Sequence, residues 1–193
     1  MRSKTRRCST CRQKCDTSAA IISHLKAFCS YDCLTTYTRS KTAQKLIQKA
    51  QAQSLAERKE KLKTRSEWMT EAQAAFNAYI RVRDSNKCCI SSGRPLVDSS
   101  VGGGYDAGHY RSRGAAGHLR FHLLNCWGQS KHDNRYLSGN ISEYRVGLIN
   151  RIGLQSVEKL EADNSTRSFD IEYLKRIKRI FNKRARLYKR LFR

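Results

Sequence analysis

The chain has 193 residues, enough for one real core with small appendages, and nowhere does it approach the roughly 18 consecutive apolar residues of a membrane-crossing helix. Its formal charge of +23, from 39 Lys and Arg against 16 Asp and Glu, calls for a polyanionic partner, nucleic acid before an anionic membrane surface. Charge alone carries no base preference.

Residues 1–7 are basic and no apolar run of leader length follows, so no secretory leader is expected and the reducing cytoplasm is the expected compartment. There, Cys11 and Cys15 followed by Cys29 and Cys33 read as two close pairs able to hold a structural Zn2+, with Cys8 a rival for Cys11. A segment of this kind, 1–34, has too little apolar content to fold without metal. From 34 to 63 there is no Gly or Pro, and Ala, Gln, Lys and Arg dominate. This predicts one long helix with a thin apolar stripe at Leu46, Ile47, Ala50, Leu55 and Leu62. Its stretch 35–64 would serve as a basic linker, either a dimer seam or a spacer along nucleic acid.

Ser66 is the expected cap of a second helix running to Arg83, with Trp68, Ala72, Ala75, Phe76 and Tyr79 as its core stripe. Residues 84–104 read as loop, with Pro95 and the Gly102-Gly103-Gly104 run as hairpin punctuation. No Gly-Lys-Ser/Thr follows those glycines, so no nucleotide cofactor is expected. Two strands, 105–111 and 119–121, then a short helix from about 131, make a ββα element. Helices at 142–151 and 154–162 come next. A C-terminal amphipathic helix carries Ile171, Leu174, Ile177, Phe181, Tyr188 and Phe192 on one face. Residues 175–193 hold ten Lys or Arg and no carboxylate. Arg176, Arg179, Lys183 and Arg186, together with Arg111, Arg113 and Arg120, are therefore the expected phosphate contacts. The expected fold class is α+β, predominantly helical, with a zinc knuckle, a linker helix, a catalytic region at 65–150 and a basic helical region at 151–193.

Chemistry concentrates at Asp106 and His109, followed by Asn125 and Asn134. Phosphodiester hydrolysis needs a base for water and a hard cation for the charge that grows on phosphate. Neutral imidazole supplies the first, and Asp106 with Asn134 could hold Mg2+ or Mn2+ while leaving water positions open. On a regular strand His109, Arg111 and Arg113 share a face and Asp106 falls out of phase, so a bulge or turn at Gly108 is expected to re-aim one of the two. For His109 alone, a structural histidine in a Gly-rich hairpin is the blander reading; the whole set favours catalysis.

Arg65-Ser66-Glu67-Trp68, Ala72-Gln73-Ala74, Asn77-Ala78-Tyr79-Ile80-Arg81, Asp106-Ala107-Gly108-His109-Tyr110-Arg111, Leu119-Arg120-Phe121 and Ser138-Gly139-Asn140 recur together in one known family. Tyr144-Arg145-Val146, Leu148-Ile149 and Arg151-Ile152-Gly153 complete the set. On these segments the chain resembles the NinG (Rap) recombination endonucleases of lambda-like phages, and around Asp106 and His109 it resembles nucleases of the HNH, or ββα-metal, kind. The resemblance implies a metal-dependent, structure-selective endonuclease acting on branched DNA such as Holliday junctions and D-loops. It implies His109 as general base, Asp106 and Asn134 as metal ligands, and Asn125 as the residue pinning the loop that carries the base. Asn140 and His132 are weaker candidates to face the metal. Symmetric cutting of a branch would suit a homodimer.

Relatives of this kind carry two C-x2-C pairs that clamp a zinc around the hairpin. Here those positions read Cys89-Ile90-Ser91-Ser92 and Ser130-Lys131-His132-Asp133, and serine is not a useful zinc ligand. The clamp is therefore expected to be missing, leaving apolar packing by Leu123, Leu124 and Trp127. A shifted site from Cys88, Cys89 and Cys126 with His122 or His132 has an unfamiliar spacing. The other readings are a non-catalytic DNA-binding or recombination-assembly protein and a general HNH nicking nuclease.

Overall fold

The structure is a computed structural model that describes residues 5–23, 25–97 and 104–191. Gly102 and Gly103 of the expected hairpin punctuation, and Phe192 of the C-terminal stripe, lie outside the described residues. The fold is α+β and mostly helical, in two compact units that meet in sequence between Lys63 and Thr64. Among the described residues no helix is long and apolar enough to cross a membrane.

The first unit begins with two small hairpins. β1 (Thr5–Arg7) pairs with β2 (Lys14–Asp16), and β3 (Ile21–Ser23) with β4 (Lys26–Phe28). Two helices follow, α1 (Tyr31–Arg39) and α2 (Lys41–Leu62), where the composition predicts one. The break is Ser40. Its backbone leaves the helix (φ −64°, ψ 144°), its amide donates to the Tyr37 carbonyl, and its hydroxyl accepts from the Ala43 amide. One serine thus ends a helix and starts the next, which needs neither Gly nor Pro. A small core forms from Ala27, Phe28 and Ala43, with the Tyr37 ring 5.3 Å from that of Phe28. Ala43 is the one buried residue of α2, so its apolar stripe stays largely exposed.

In the second unit α3 (Arg65–Arg83) starts earlier than Ser66 would place it. Thr64 is the cap: its hydroxyl accepts from the Glu67 amide, and the Glu67 carboxylate accepts from the Thr64 amide in return. The buried face of α3, Trp68, Ala72, Ala75, Phe76, Tyr79 and Ile80, packs along Leu174, Ile177 and Phe181 of the last helix. Edge-to-face rings lock the pair, with Phe76 4.9 Å from Phe181 and Tyr79 5.6 Å from Tyr188. Residues 65–150 and 151–193 thus share one core. A second cluster joins Tyr110, Leu119, Trp127, Tyr144, Leu148, Val157 and Leu160 under α4 (Ile141–Ile152) and α5 (Leu154–Ala162). The last helix is α6 (Ile171–Leu191).

Between the clusters runs the hairpin of β5 (Tyr105–His109) and β6 (Cys126–Ser130), antiparallel and in unbroken register from Tyr105 opposite Ser130 to His109 opposite Cys126. The second strand is therefore not at 119–121. That stretch starts on the last residue of one 3-10 turn (Gly117–Leu119) and runs towards another (Leu123–Asn125), with Leu119 drawn into one cluster and Phe121 into the other. After β6 the expected short helix is a single π-helical turn, His132–Tyr136. Ser138, Gly139 and Asn140 then take positive φ (50°, 88° and 44°) and reverse the chain into α4.

Polar groups hold this hairpin together with part of the expected apolar packing: Leu123 packs against the cluster that contains Cys126, whereas Leu124 does not. Leu124 is exposed and Leu123 only half-buried, although Trp127 is buried as expected. Fully buried Asp84 accepts from the Gly128 amide at 2.9 Å, from Arg83 at 2.6 Å and from Lys87 at 2.9 Å. Arg83 donates in turn to the carbonyls of Leu123 and Cys126. Burial alone would raise the Asp84 carboxyl; Arg83, Lys87 and the Gly128 amide outweigh it and hold it below the usual range. A second knot links the two segments expected to lack a zinc clamp. Ser130 Oγ donates to Asp133 Oδ2 at 2.5 Å, the Cys89 thiol lies 3.4 Å from the same oxygen, and Asn140 donates to Oδ1 at 2.9 Å. Hydrogen bonds thus do the joining. Among the described residues no ligand group forms around Cys88, Cys89 and Cys126.

Candidate functional site

A cleft of about 320 Å³ opens between α3, β5 and the turn after β6. Asn77 and Arg81 line it from α3, Asp106, Ala107 and His109 from β5, Ser112 and Arg113 from the loop beyond, and Asn134 and Ser138 from the turn. Asp106 and His109 thus reach one space without the expected bulge at Gly108, since the register is continuous. Among the described residues β5 pairs only with β6, and side chains from both its faces reach the cleft that runs along it. Gly108 has a different task. A Cβ there would lie 2.1 Å from Gln129 Oε1, so the glycine makes room for that buried side chain.

His109 is held from one side. Its Nε2 is 2.9 Å from the Arg120 carbonyl, which can only accept, so Nε2 carries the proton and Nδ1 is the basic atom of the neutral ring. Nδ1 has the Cys126 sulfur at 3.7 Å, a weak neighbour whose thiol burial keeps protonated. Burial depresses the His109 pKa, the charges of Arg113 and Arg120 add to this, and the Arg120 carbonyl opposes; the result is about 4. The ring is neutral at cellular pH.

Asn125 is buried and does not line the cleft. It binds the backbone of Arg111 in both directions and donates to the Leu119 carbonyl, tying the end of β5 to the loop that positions Arg120. Asp106 and Asn134 meet, with Asn134 Nδ2 3.2 Å from Asp106 Oδ2. A carboxylate and an amide are the residue types whose oxygens a hard divalent ion takes, although here the amide nitrogen faces the carboxylate. Burial raises the Asp106 carboxyl, but Arg135, Asn134 and Lys131 bring it below the usual range, so it is ionised at neutral pH. Asn140 is committed to Asp133, and exposed His132 lies beside Tyr136; neither lines the cleft.

Of the expected phosphate contacts, Arg113 is exposed in the cleft. Arg120 is half-buried, and its own burial together with the charge of Arg113 disfavours its protonated form. Its guanidinium donates to Gln73 Oε1 at 3.3 Å and does not line the cleft. Arg111 differs: it donates to the carbonyls of Leu160 and Asp163 and to Asn164 Oδ1, closing the end of α5. That removes it from the phosphate set. Arg176, Arg179, Lys183 and Arg186 lie on α6 outside its buried stripe of Leu174, Ile177 and Phe181.

The first unit holds a second site. The thiols of Cys8, Cys11, Cys29 and Cys33 lie within 4.8 Å of one another, with Cys29 3.5 Å from both Cys11 and Cys33. Cys8 therefore joins Cys11, and Cys15 is the residue left out. Cys8 and Cys11 sit in the turn between β1 and β2, while Cys15 is down the hairpin opposite Arg6, its thiol directed at the Arg6 carbonyl. All eight cysteines are free thiols. Burial would raise the Cys8 thiol, but the amides of Cys29, Cys11 and Thr10 outweigh it and bring it to about 6. Hydrogen bonds with Cys11, Cys33 and Cys8 push Cys29 up to about 12. Four crowded sulfurs, one that ionises readily and another that resists, are a set of thiol ligands able to hold a metal such as zinc.

The family profile described as "Bacteriophage Lambda NinG protein" matches residues 1–190. The chain belongs to the NinG family. It is 44% identical to protein ninG of Escherichia phage lambda over 121 residues, 63% of this chain and 57% of that protein. It is 43% identical to protein ninG of Enterobacteria phage H19B over 129 residues, 67% and 62% of the two chains. With protein ninG of Salmonella phage P22 the identity is 44% over 121 residues, 63% and 57%. The chain thus spans about three fifths of the length of the curated relatives it matches. No solved structure matches it.

In this NinG family member the sequence motifs did not reveal Arg135, whose guanidinium pairs with Asp106, nor Asp133, the hub of the turn that carries Asn134. Asn77, Arg81 and Ser138 of the cleft were also missed as site residues. The resemblance set contained all three, and the i, i+4 spacing of Asn77 and Arg81 was the available signal that they share a helix face.

Proposed function

We propose that this protein is a divalent-metal-dependent endonuclease that hydrolyses phosphodiester bonds in branched DNA, of the kind its HNH-like resemblance implies. The observation that carries the reading is that His109, with Nε2 committed to a carbonyl, opens on the same cleft as the Asp106–Asn134 pair.

In the reaction His109 Nδ1 takes a proton from water as the water oxygen bonds to phosphorus and the bond to the departing sugar oxygen breaks. Arg113, which lines the cleft, binds a non-bridging oxygen and neutralises its charge, and Arg120 adds positive potential beside it. Asp106 and Asn134 would hold Mg2+ or Mn2+, which as a Lewis acid stabilises the leaving oxygen. Asn125 fixes the loop from which Arg120 orients the imidazole. The basic side of α6 supplies sequence-independent affinity for the arms of the substrate. Two copies of the chain would suit a substrate with two exchanging strands.

Cleavage of a synthetic four-way junction and of a matched linear duplex, each with Mg2+ or Mn2+, tests the proposal. Junction cutting that falls about 100-fold or more in His109→Ala is the expected result. Equal cutting of both substrates would make the protein a general nicking nuclease. Binding without cutting across a panel of divalent ions would leave only a DNA-binding or assembly role.

A further inference from the structure

The carboxylate at the centre of the cleft already holds a cation. Arg135 Nε is 2.7 Å from Asp106 Oδ2 and its Nη2 is 3.0 Å from Oδ1, a two-pronged pairing that uses both oxygens. Asn134, the neighbouring residue on the same turn, gives its amide nitrogen to Oδ2 as well. Both side chains thus face Asp106 as donors, whereas an amide that ligates a cation must turn its oxygen inward.

We propose that Arg135 is the built-in counter-ion of Asp106, occupying the carboxylate until a divalent ion binds and then released toward the cleft, where its guanidinium can engage phosphate. This rests on the reading of Asp106 as a metal ligand. Release is easy, because the Arg135 side chain is 57% exposed and sits on a single π turn, while the Asp106 side chain is only 20% exposed. Arg135 and Asn134 are adjacent, so one adjustment of that turn withdraws the guanidinium and brings the amide oxygen round. The exchange keeps Asp106 paired with a cation at every stage, and it sets a threshold of ion concentration below which the site stays closed.

The test is Mn2+ binding, read from the free-ion paramagnetic resonance signal, on the full chain with its cysteine cluster saturated with zinc. The variants are Arg135→Ala, Arg135→Lys, Arg81→Ala and Asp106→Asn. Arg135→Ala should bind Mn2+ roughly two- to fivefold more tightly than wild type, the range of an exposed ion pair. Arg135→Lys should fall between, and Arg81→Ala, which removes a cleft charge without touching Asp106, should change affinity less. Arg135→Ala binding no tighter than wild type, or Arg81→Ala tightening it equally, would overturn the counter-ion role while Asp106→Asn still abolishes binding. Undiminished binding by Asp106→Asn would instead sink the metal-ligand reading itself, and this inference with it.

Discussion

Asn125 is tied to Arg111 in both directions, its Oδ1 accepting the Arg111 amide at 2.9 Å and its Nδ2 donating to the Arg111 carbonyl at 3.0 Å. A side chain here does what a neighbouring strand would do. Asn125→Ala leaves buried backbone groups without partners and should lower unfolding free energy by roughly 1–3 kcal/mol in urea titrations. Asn125→Asp should cost more, because a carboxylate cannot donate to the two carbonyls.

Asp84 supports the same hairpin from below. Removing it strands Arg83 in a largely buried position, so Asp84→Ala should lose about 3–5 kcal/mol. Its carboxyl is held below the ordinary value of 3.8, so its contribution is complete above that value and disappears as pH falls through the lower folded value. Acid unfolding curves of wild type and variant should converge there.

For His109 the acid side is wider. The folded ring protonates near 4 and the unfolded ring near 6.5, so between those values only the unfolded chain gains a proton. Stability should therefore decline as pH drops from 6.5 towards 4, and His109→Gln should flatten that slope. An NMR titration of the ring checks the midpoint; a value near 6.5 would contradict the burial described.

One zinc per chain is the expected stoichiometry. Cys8→Ser should lose the ion and Cys15→Ser should keep it, as measured by metal release with a thiol reagent. The hydrogen-bonded contacts of Cys89, Ser130 and Asp133 predict no second ion.

Replacing Arg176, Arg179, Lys183 and Arg186 with Gln should weaken duplex and junction binding alike. The slope of log affinity against log salt should flatten by about 0.9 for each phosphate that is no longer neutralised.

How much of this was legible in advance differs by residue. Asp106 and His109 stand out as a carboxylate and an imidazole in one short segment, Asn134 reaches the same cleft from a distant turn, and Asn125 lies behind it. The partner strand was misplaced, since Cys126 to Gln129 are buried on both faces and show no alternation, whereas 119–121 looks strand-like but serves two clusters. Thr64 and Ser66 are both fair caps; only the reciprocal Glu67 contact decides between them. Cys8 displaced Cys15 because hairpin register, not spacing, selects which thiols turn inward. Arg135 meets Asp106, and Arg83 meets Leu123 and Cys126, across tens of residues, and no local pattern announces such meetings.

Stiffness is shared unevenly around the cleft. The wall bearing Asn77 and Arg81 belongs to a helix interlocked with α6 through edge-on rings, and close-packed interiors yield little. The opposite rim, at 134–138, hangs on one irregular turn anchored through Asp133. Whatever enters the cleft is therefore accommodated by movement of that rim rather than of the helical wall.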